Sequence, residues 1–186
     1  MGLGNPSPQY DNTRHNVGAL WVRELARQHG ISLLLDAKFK GEIGRGTIQG
    51  IDIRLLLPTT YMNLSGESVG TVLRYYKYHV EEVLVAYDEM AFEPGVVRLK
   101  QGGGDNGHNG VKSVRDGCGN AAGFNRLRIG VGHPNDRGQV TAYLTQRTMP
   151  QAERALVEQA VNFGEPLLSD ILHGCWQSAQ NVMHSS

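Results

Sequence analysis

The amino-acid sequence predicts an α/β fold in which a twisted, mixed β-sheet is flanked by helices. Segments with strand periodicity and segments with helical periodicity alternate along the chain, which is typical of a sheet covered by helices. The 186 residues suffice for one sizeable hydrophobic core, and no repeat, linker or change of composition divides them. We therefore predict a single domain spanning residues 1–186.

The first half of the chain begins with a very short apolar segment at residues 1–4 and a polar loop. A helix is predicted from Val17 to near Gly30, because apolar residues recur there at helical spacing. Residues 40–48 and 51–58 flank Gln49-Gly50, a pattern that predicts a β-hairpin. A second helix is predicted over residues 63–78.

The second half continues the alternation of strands and helices. Strands are predicted at residues 82–87, 95–100 and 124–131. Helices are predicted at residues 109–116 and 137–144, followed by one longer helix over residues 150–171.

Charge and composition exclude several classes of protein. Lysine plus arginine and aspartate plus glutamate each total 18, so the formal net charge is zero. This balance argues against a globally basic nucleic-acid binder and against an acidic disordered protein. The distribution is uneven, however: residues 98–137 hold seven basic and three acidic side chains, which bracket a glycine-rich loop. A phosphate-backbone contact and an ordinary solvated face both remain open for this basic segment.

The cysteine pattern and the absence of targeting signals indicate the compartment. Cys118 and Cys175 lie far apart and lack the spacing of a zinc finger or a disulfide framework. No apolar stretch approaches the ~18 residues of a membrane-spanning helix, and the first residues do not form a signal peptide. We expect a soluble protein of the reducing cytoplasm.

Four polar, glycine-flanked segments follow predicted strands and are the candidates for a functional cleft. They are residues 4–16, 59–66, 88–94 and 102–110. Because ligands of such sheets gather outside the carboxyl ends of the strands, we expect these segments to line one cleft.

A histidine and an aspartate in these loops are candidates for acid–base chemistry. His15 precedes a predicted helix, and an imidazole has a pKa near working pH, which suits a general base. Asp88 ends a buried strand and could orient a histidine, as the acid of a catalytic triad does. The alternatives are an exposed capping histidine and a turn aspartate.

The remaining polar side chains in the loops suit a substrate with carbonyl or amide groups. Asn63 is either the N-cap of the following helix or a ligand group that both donates and accepts. The glycines before His108 and Asn109 could form a backbone nest for a phosphate or an oxyanion. They do not form a Walker A loop or a dinucleotide fingerprint, and no His/Cys/Asp spacing suggests a metal site.

Five strings in the sequence are similar to the motifs of one enzyme family, in the same order and at the same spacing. They are GLGNPSPQYDNTRHNVG, PTTYMNLSG, LVAYDE, KQGGGDNGHNG and RLRIGVGHP, which span the chain from Gly2 to about Leu144. The chain thus resembles bacterial-type peptidyl-tRNA hydrolases. The resemblance implies a monomeric esterase without metal or cofactor that cleaves the ester between a peptide and the tRNA 3′ ribose. Such an enzyme recycles peptidyl-tRNAs released prematurely by ribosomes.

The resemblance also implies roles for individual residues. His15 matches the catalytic base, Asp88 the carboxylate that supports it, and Asn5 the residue that senses an acylated amino group. Contacts with the tRNA or the peptide are implied for a further group, to which His108 is added as the neighbour of Asn109: Tyr10, Tyr61, Met62, Asn63, His108 and Asn109. Lys100 and Arg128 match a basic pair that clamps a tRNA 5′ phosphate.

The sequence departs from the family pattern in a few places. The first strand is shortened, because only Met1, Gly2 and Leu3 precede Gly4. Asp105 adds a negative charge near the expected phosphate path. Two other functions stay open: a non-catalytic RNA-binding protein on the same fold, similar to an intron-splicing relative, and a nucleotide-phosphate enzyme that uses the glycine loop.

Overall fold

The computed structural model describes residues 1–184 and contains two three-stranded sheets. In the first sheet the strands are antiparallel and lie in the order β1-β2-β3. In the second the order is β4-β6-β5, with β4 parallel and β5 antiparallel to β6. The strands are β1 (Leu34–Asp36), β2 (Gly41–Ile48), β3 (Ile51–Pro58), β4 (Leu84–Glu89), β5 (Val97–Gln101) and β6 (Asn125–Gly130).

Residues 1–3 lie between the two sheets and connect them. The Gly2 amide donates to the Leu56 carbonyl of β3 (3.1 Å), and the Leu3 amide donates to the Ala86 carbonyl of β4 (2.9 Å). The Ala86 amide returns a hydrogen bond to the Met1 carbonyl (2.9 Å). The two sheets therefore act as one mixed sheet, in which residues 1–3 take the place of a central strand but form only an isolated bridge at Gly2.

Helices cover both faces of this sheet, because β4 and β6 present apolar side chains alternately to each side. One face packs against α1, α5, α6 and α7, and the other against α2 and α3. The helices are α1 (Val17–Gln28), α2 (Ser65–Tyr76), α3 (Asn109–Gly117), α4 (Val140–Thr145), α5 (Gln151–Val161), α6 (Glu165–Leu172) and α7 (Trp176–His184). The predicted α/β class is confirmed.

Helix α1 approaches the sheet closely through a glycine. A Cβ atom at Gly18 would lie 2.1 Å from the Ala86 carbonyl oxygen of β4, so no larger residue fits without moving the helix. This contact fixes the start of α1 directly over the centre of the sheet. The short 3₁₀ helix Arg14–Asn16 leads directly into α1.

The predicted single helix over residues 150–171 is wrong. The chain forms α5 and α6 instead, with a break at residues 162–164. Pro166 lies in the first turn of α6, where its missing amide is tolerated, and it cannot sit inside a continuous helix without losing a hydrogen bond. The short strand β1 and the helix α7 were not predicted.

The other predicted elements are present with shifted ends. Gln49 and Gly50 both have positive φ (49° and 81°), as a two-residue hairpin turn between β2 and β3 requires. The helix predicted at residues 137–144 begins as a 3₁₀ turn, Arg137–Gln139, before α4. Within residues 1–184, no helix is long and apolar enough to cross a membrane.

Candidate active site

Three of the four predicted loop segments meet around the buried carboxylate of Asp88. His15 lies in the 3₁₀ helix before α1, Asp88 lies at the carboxyl end of β4, and His108 is the N-cap residue of α3. The Nδ1 atom of His15 lies 2.8 Å from Asp88 Oδ1, and the Nε2 atom of His108 lies 2.9 Å from the same oxygen. His15 and Asp88 are both buried, so an exposed cap and a solvated turn are excluded.

The hydrogen bonds of His108 determine where its proton lies. Its Nδ1 atom accepts from the amides of Gly110 (3.1 Å) and Val111 (3.3 Å) at the start of α3. An imidazole nitrogen that accepts has no proton, so the proton of a neutral His108 is on Nε2 and is donated to Asp88. The amides at the start of α3 are thereby occupied, and the predicted nest for a phosphate is not open there.

Asp88 also orients His15 as a base. The Nδ1–H group of His15 donates to Asp88, which leaves Nε2 as the nitrogen with a free electron pair. No described residue hydrogen-bonds to this Nε2 atom. His15 therefore has the arrangement of the histidine in a His–Asp pair that takes a proton from a water or a hydroxyl.

Burial and charge act in opposite directions on both members of the pair. Burial favours neutral imidazole, but the charge and the hydrogen bond of Asp88 outweigh it and raise the pKa of His15 above 6.5. For Asp88, burial favours the protonated acid, yet the two histidines together hold the pKa of the carboxyl far below its usual range. Asp88 is thus a permanent buried anion at neutral pH.

Asn5 is held in a single orientation by Asn16, which directly follows His15, and by Met62. Its backbone amide donates to Asn16 Oδ1 (2.9 Å), and Asn16 Nδ2 donates back to the Asn5 carbonyl (3.0 Å). The Met62 amide donates to Asn5 Oδ1 (2.8 Å), which fixes that atom as the oxygen. Among the described residues nothing pairs with Asn5 Nδ2, so this amide group is available as a donor to a ligand.

The other residues predicted to contact substrate lie on the loops around this centre. Met62 is buried between Leu3 and α3, whereas Tyr61 is 56% exposed. Asn63 and Asn109 are exposed, and Tyr10 is half-buried. The alternative interpretation of Asn63 as an N-cap is wrong, since Leu64 occupies that position of α2 and no side chain caps it.

The glycine loop is held by a buried arginine and an ion pair. Arg126 of β6 is 1% exposed, and its guanidinium donates to the carbonyls of Gly103 and Gly104. Asp105 accepts from the Gly107 amide (3.0 Å) and forms an ion pair with Arg115 (2.7 Å). The negative charge of Asp105 is therefore neutralised by Arg115 within the protein. Arg115 and Arg126, two of the seven basic residues of segment 98–137, are likewise engaged by protein groups.

Lys100 and Arg128, the two residues predicted to bind a tRNA phosphate, differ in how far their side chains are already engaged within the protein. In the β5–β6 register, Lys100 lies opposite Arg126 and Arg98 lies opposite Arg128, so all four project from one face. Lys100 is exposed. Arg128 donates through Nε (3.1 Å) and Nη2 (2.8 Å) to Glu89, and its side chain is 16% exposed.

Comparison with known proteins decides the family. The sequence model described as peptidyl-tRNA hydrolase matches residues 1–186. The chain belongs to the peptidyl-tRNA hydrolase family. It is 44% identical over 185 residues to the peptidyl-tRNA hydrolases of Pseudomonas aeruginosa and Azotobacter vinelandii, covering 100% of this chain and 95% of each relative.

Solved structures of peptidyl-tRNA hydrolases share this fold. The crystal structure from Acinetobacter baumannii superposes with a TM-score of 0.92 at 42% identity, covering 98% of this chain and 91% of that one. The resemblance read from the sequence motifs is confirmed.

In this member of the peptidyl-tRNA hydrolase family, His15, Asp88 and His108 form the one group among residues 1–184 with the composition of a metal site. Their potential ligand atoms lie within 4.8 Å of one another. The sequence spacing did not indicate this cluster, because the fold brings together residues that lie up to 93 positions apart. The nitrogens that face Asp88 carry protons, however, so the same atoms serve hydrogen bonding.

Several residues that position the peptidyl-tRNA hydrolase centre were not among the predicted site residues. Asn16 fixes Asn5, and Glu89 holds Arg128. The backbone nitrogens of Gly110 and Val111 set the tautomer of His108. For Asn16 the signal was its place next to His15, but backbone amides carry no signal in a sequence.

Proposed function

We propose that the protein hydrolyses the ester bond between the peptide and the 3′ ribose of peptidyl-tRNA. The observation that carries the proposal is the buried His15–Asp88 pair, whose Nδ1 and Oδ1 atoms lie 2.8 Å apart. Family membership over the whole chain supports the same reaction. In the cell this activity would recycle tRNA from prematurely released peptidyl-tRNA.

In the proposed reaction, His15 Nε2 removes a proton from a water molecule whose oxygen attacks the ester carbonyl. The C–O bond to the ribose then breaks, and the imidazolium returns the proton to the leaving 3′ oxygen. The products are the free peptide acid and tRNA with a 3′ hydroxyl group. Asp88 stabilises the imidazolium, and general-base catalysis of this kind contributes ~10²–10⁴ in rate.

Asn5 would distinguish peptidyl-tRNA from aminoacyl-tRNA. Because the Met62 amide donates to Asn5 Oδ1, the side-chain amide is turned so that Nδ2, a donor, is the group left without a partner among the described residues. An acylated amino group brings a carbonyl that can accept from Nδ2, whereas a free ammonium brings only donors. A buried mismatch of this kind costs ~1–3 kcal/mol.

The remaining contacts to substrate are assigned by their position around the centre. We assign Asn63 and Asn109 to the peptide backbone, since exposed amides can hold a variable peptide without charge. Tyr10, Tyr61, Met62 and His108 are proposed to contact the tRNA or the peptide, and His108 would do so through its ring surface, because both of its nitrogens are hydrogen-bonded within the protein.

We assign the tRNA 5′ phosphate to Lys100 and Arg128. Lys100 is free at the surface, and Arg128 keeps Nη1 for a phosphate while Nε and Nη2 hold Glu89. An arginine has five donor hydrogens, so it can serve both partners. We further propose that the protein works as a monomer in the cytoplasm, where its tRNA substrate is found.

The test is hydrolysis of a model peptidyl-tRNA by the wild-type protein, with His15→Ala as the variant. We expect kcat to fall by at least ~10²-fold while tRNA binding is retained. His29→Ala is the matched control, because His29 is exposed at the end of α1. Turnover of His15→Ala at the wild-type rate would refute the mechanism. A folded wild-type protein that bound RNA without hydrolysis would favour the non-catalytic alternative.

A further inference from the structure

The residue before the catalytic histidine is a buried arginine with no part in the chemistry described above. Arg14 opens the 3₁₀ helix that carries His15 and is 4% exposed. We propose that Arg14 is a positioning residue for His15, which fixes the imidazole through contacts with α4 and α5. The proposal rests on the proposed function of His15.

The guanidinium of Arg14 is clamped between two helices. Its Nη2 atom lies 2.6 Å from Glu153 Oε2 on α5, and its Cζ atom lies 3.9 Å from the ring centroid of Tyr143 on α4. A cation on an aromatic face and a close carboxylate together offset the cost of burying the charge. The planar group has one orientation that satisfies both partners, so the start of the 3₁₀ helix is held rigidly.

Tyr143 connects this contact to the strand that carries Asp88. Its hydroxyl donates to the Val131 carbonyl (2.7 Å), and the Val131 amide donates to the Glu89 carbonyl (3.2 Å). Glu89 directly follows Asp88. His15 is therefore connected to Asp88 in two ways. Its imidazole hydrogen-bonds to Asp88 directly, and its neighbour Arg14 contacts Tyr143, which is hydrogen-bonded through Val131 to the residue after Asp88.

The backbone just before Arg14 is fastened to the same region. The Met149 amide donates to the Asn12 carbonyl (2.8 Å), and Thr13 forms an antiparallel bridge with Thr148. These bonds hold the chain near α4 and α5. The side chain of Arg14 is the contact that sets the rotation of the 3₁₀ helix, and with it the direction of the imidazole.

Small errors in this direction affect catalysis more than binding. A displacement of about 1 Å of a catalytic group costs roughly 10²-fold in rate, whereas the tRNA is held by other residues. Because Arg14 is buried, its loss removes no surface charge that tRNA would contact. The proposal therefore predicts an effect on kcat with little effect on KM.

The test compares Arg14→Met, Arg14→Lys and the control Arg27→Met in peptidyl-tRNA hydrolysis. Arg27 also pairs with a glutamate, Glu24, but lies exposed on α1. We expect Arg14→Met to lower kcat about 10–100-fold with KM within threefold, Arg14→Lys to restore part of the loss, and Arg27→Met to behave as wild type. A raised KM with unchanged kcat would overturn the proposal, as would unchanged values of both.

A second measurement separates this proposal from the proposed function. Proton NMR of the His15 Nδ1–H group reports its hydrogen bond to Asp88 whether or not the protein hydrolyses peptidyl-tRNA. Wild-type protein without turnover would refute the proposed function alone. An unshifted Nδ1–H signal in Arg14→Met would refute the positioning role alone. If Arg14→Met does not fold, Glu153→Gln, which breaks the same ion pair, is judged by the same criteria.

Discussion

Replacing Asp88 with asparagine would separate the charge of this residue from its hydrogen bonds. His15 Nδ1 and His108 Nε2 donate to the same oxygen, Oδ1, at 2.8 and 2.9 Å. An asparagine with its carbonyl oxygen in that place accepts both hydrogen bonds, and only the second oxygen becomes an amide nitrogen. The variant Asp88→Asn therefore keeps the geometry of the centre and removes one negative charge.

The magnitude follows from the distance between this charge and the imidazolium that forms during the reaction. Two unit charges about 4 Å apart at an effective dielectric constant of ~20 interact by roughly 4 kcal/mol. Losing most of this stabilisation lowers kcat about 10²–10³-fold. The neutral asparagine also no longer stabilises a protonated His15, so burial lowers the pKa of His15.

The assay is the pH dependence of kcat/KM for peptidyl-tRNA hydrolysis. His15 must be neutral to act as a base, so activity falls as the pH drops through its pKa. In the wild type we expect the acid limb above pH 6.5, because Asp88 raises the pKa of His15 from that ordinary value. In Asp88→Asn we expect the limb to move to lower pH.

The control is Asp52→Asn, which breaks the exposed ion pair of Asp52 with Arg45. This control variant should keep the wild-type profile. An unchanged acid limb in Asp88→Asn, or a loss of kcat below about fivefold, would refute the electrostatic role of Asp88.

Two further predictions concern the packing of α1 and the binding of tRNA. Gly18→Ala places a methyl group against the Ala86 carbonyl and should cost about 3 kcal/mol, or roughly 6–12 °C in melting temperature; Gly104→Ala, with open space around it, should melt as wild type. Lys100→Glu should raise KM several-fold and flatten its dependence on salt, because fewer counterions are released. An equal effect on a substrate without a 5′ phosphate would contradict the clamp.

The sequence was sufficient to predict the class of fold and most elements, because apolar periodicity is local. The prediction from sequence failed where apolar periodicity and helix-breaking residues occur in the same segment. Residues 150–171 are periodic enough for one helix, but Gly164 and Pro166 start a new one. The strand β1 escaped prediction because it is three residues long and its two leucines, Leu34 and Leu35, are exposed.

The centre was predictable in its residue types but not in its connections. His15 and Asp88 were selected because an imidazole just before a helix and a carboxylate at the end of a buried strand suit acid–base chemistry. Nothing in the sequence indicates that His108 donates to the same oxygen, since that depends on the backbone amides that fix its tautomer. Likewise, the ion pair of Arg128 with Glu89 joins residues on neighbouring strands, and only the register reveals it.

The shared oxygen of Asp88 has a consequence for how the protein would reject aminoacyl-tRNA. With His15 in its base form and His108 neutral, the centre carries one uncompensated negative charge. Such a charge attracts the ammonium of a free aminoacyl group, so electrostatic repulsion cannot be the basis of discrimination. Under the role proposed for Asn5, selectivity comes instead from the donor that Asn5 presents, and the Met62 amide, which orients that donor, contributes to the selectivity as well.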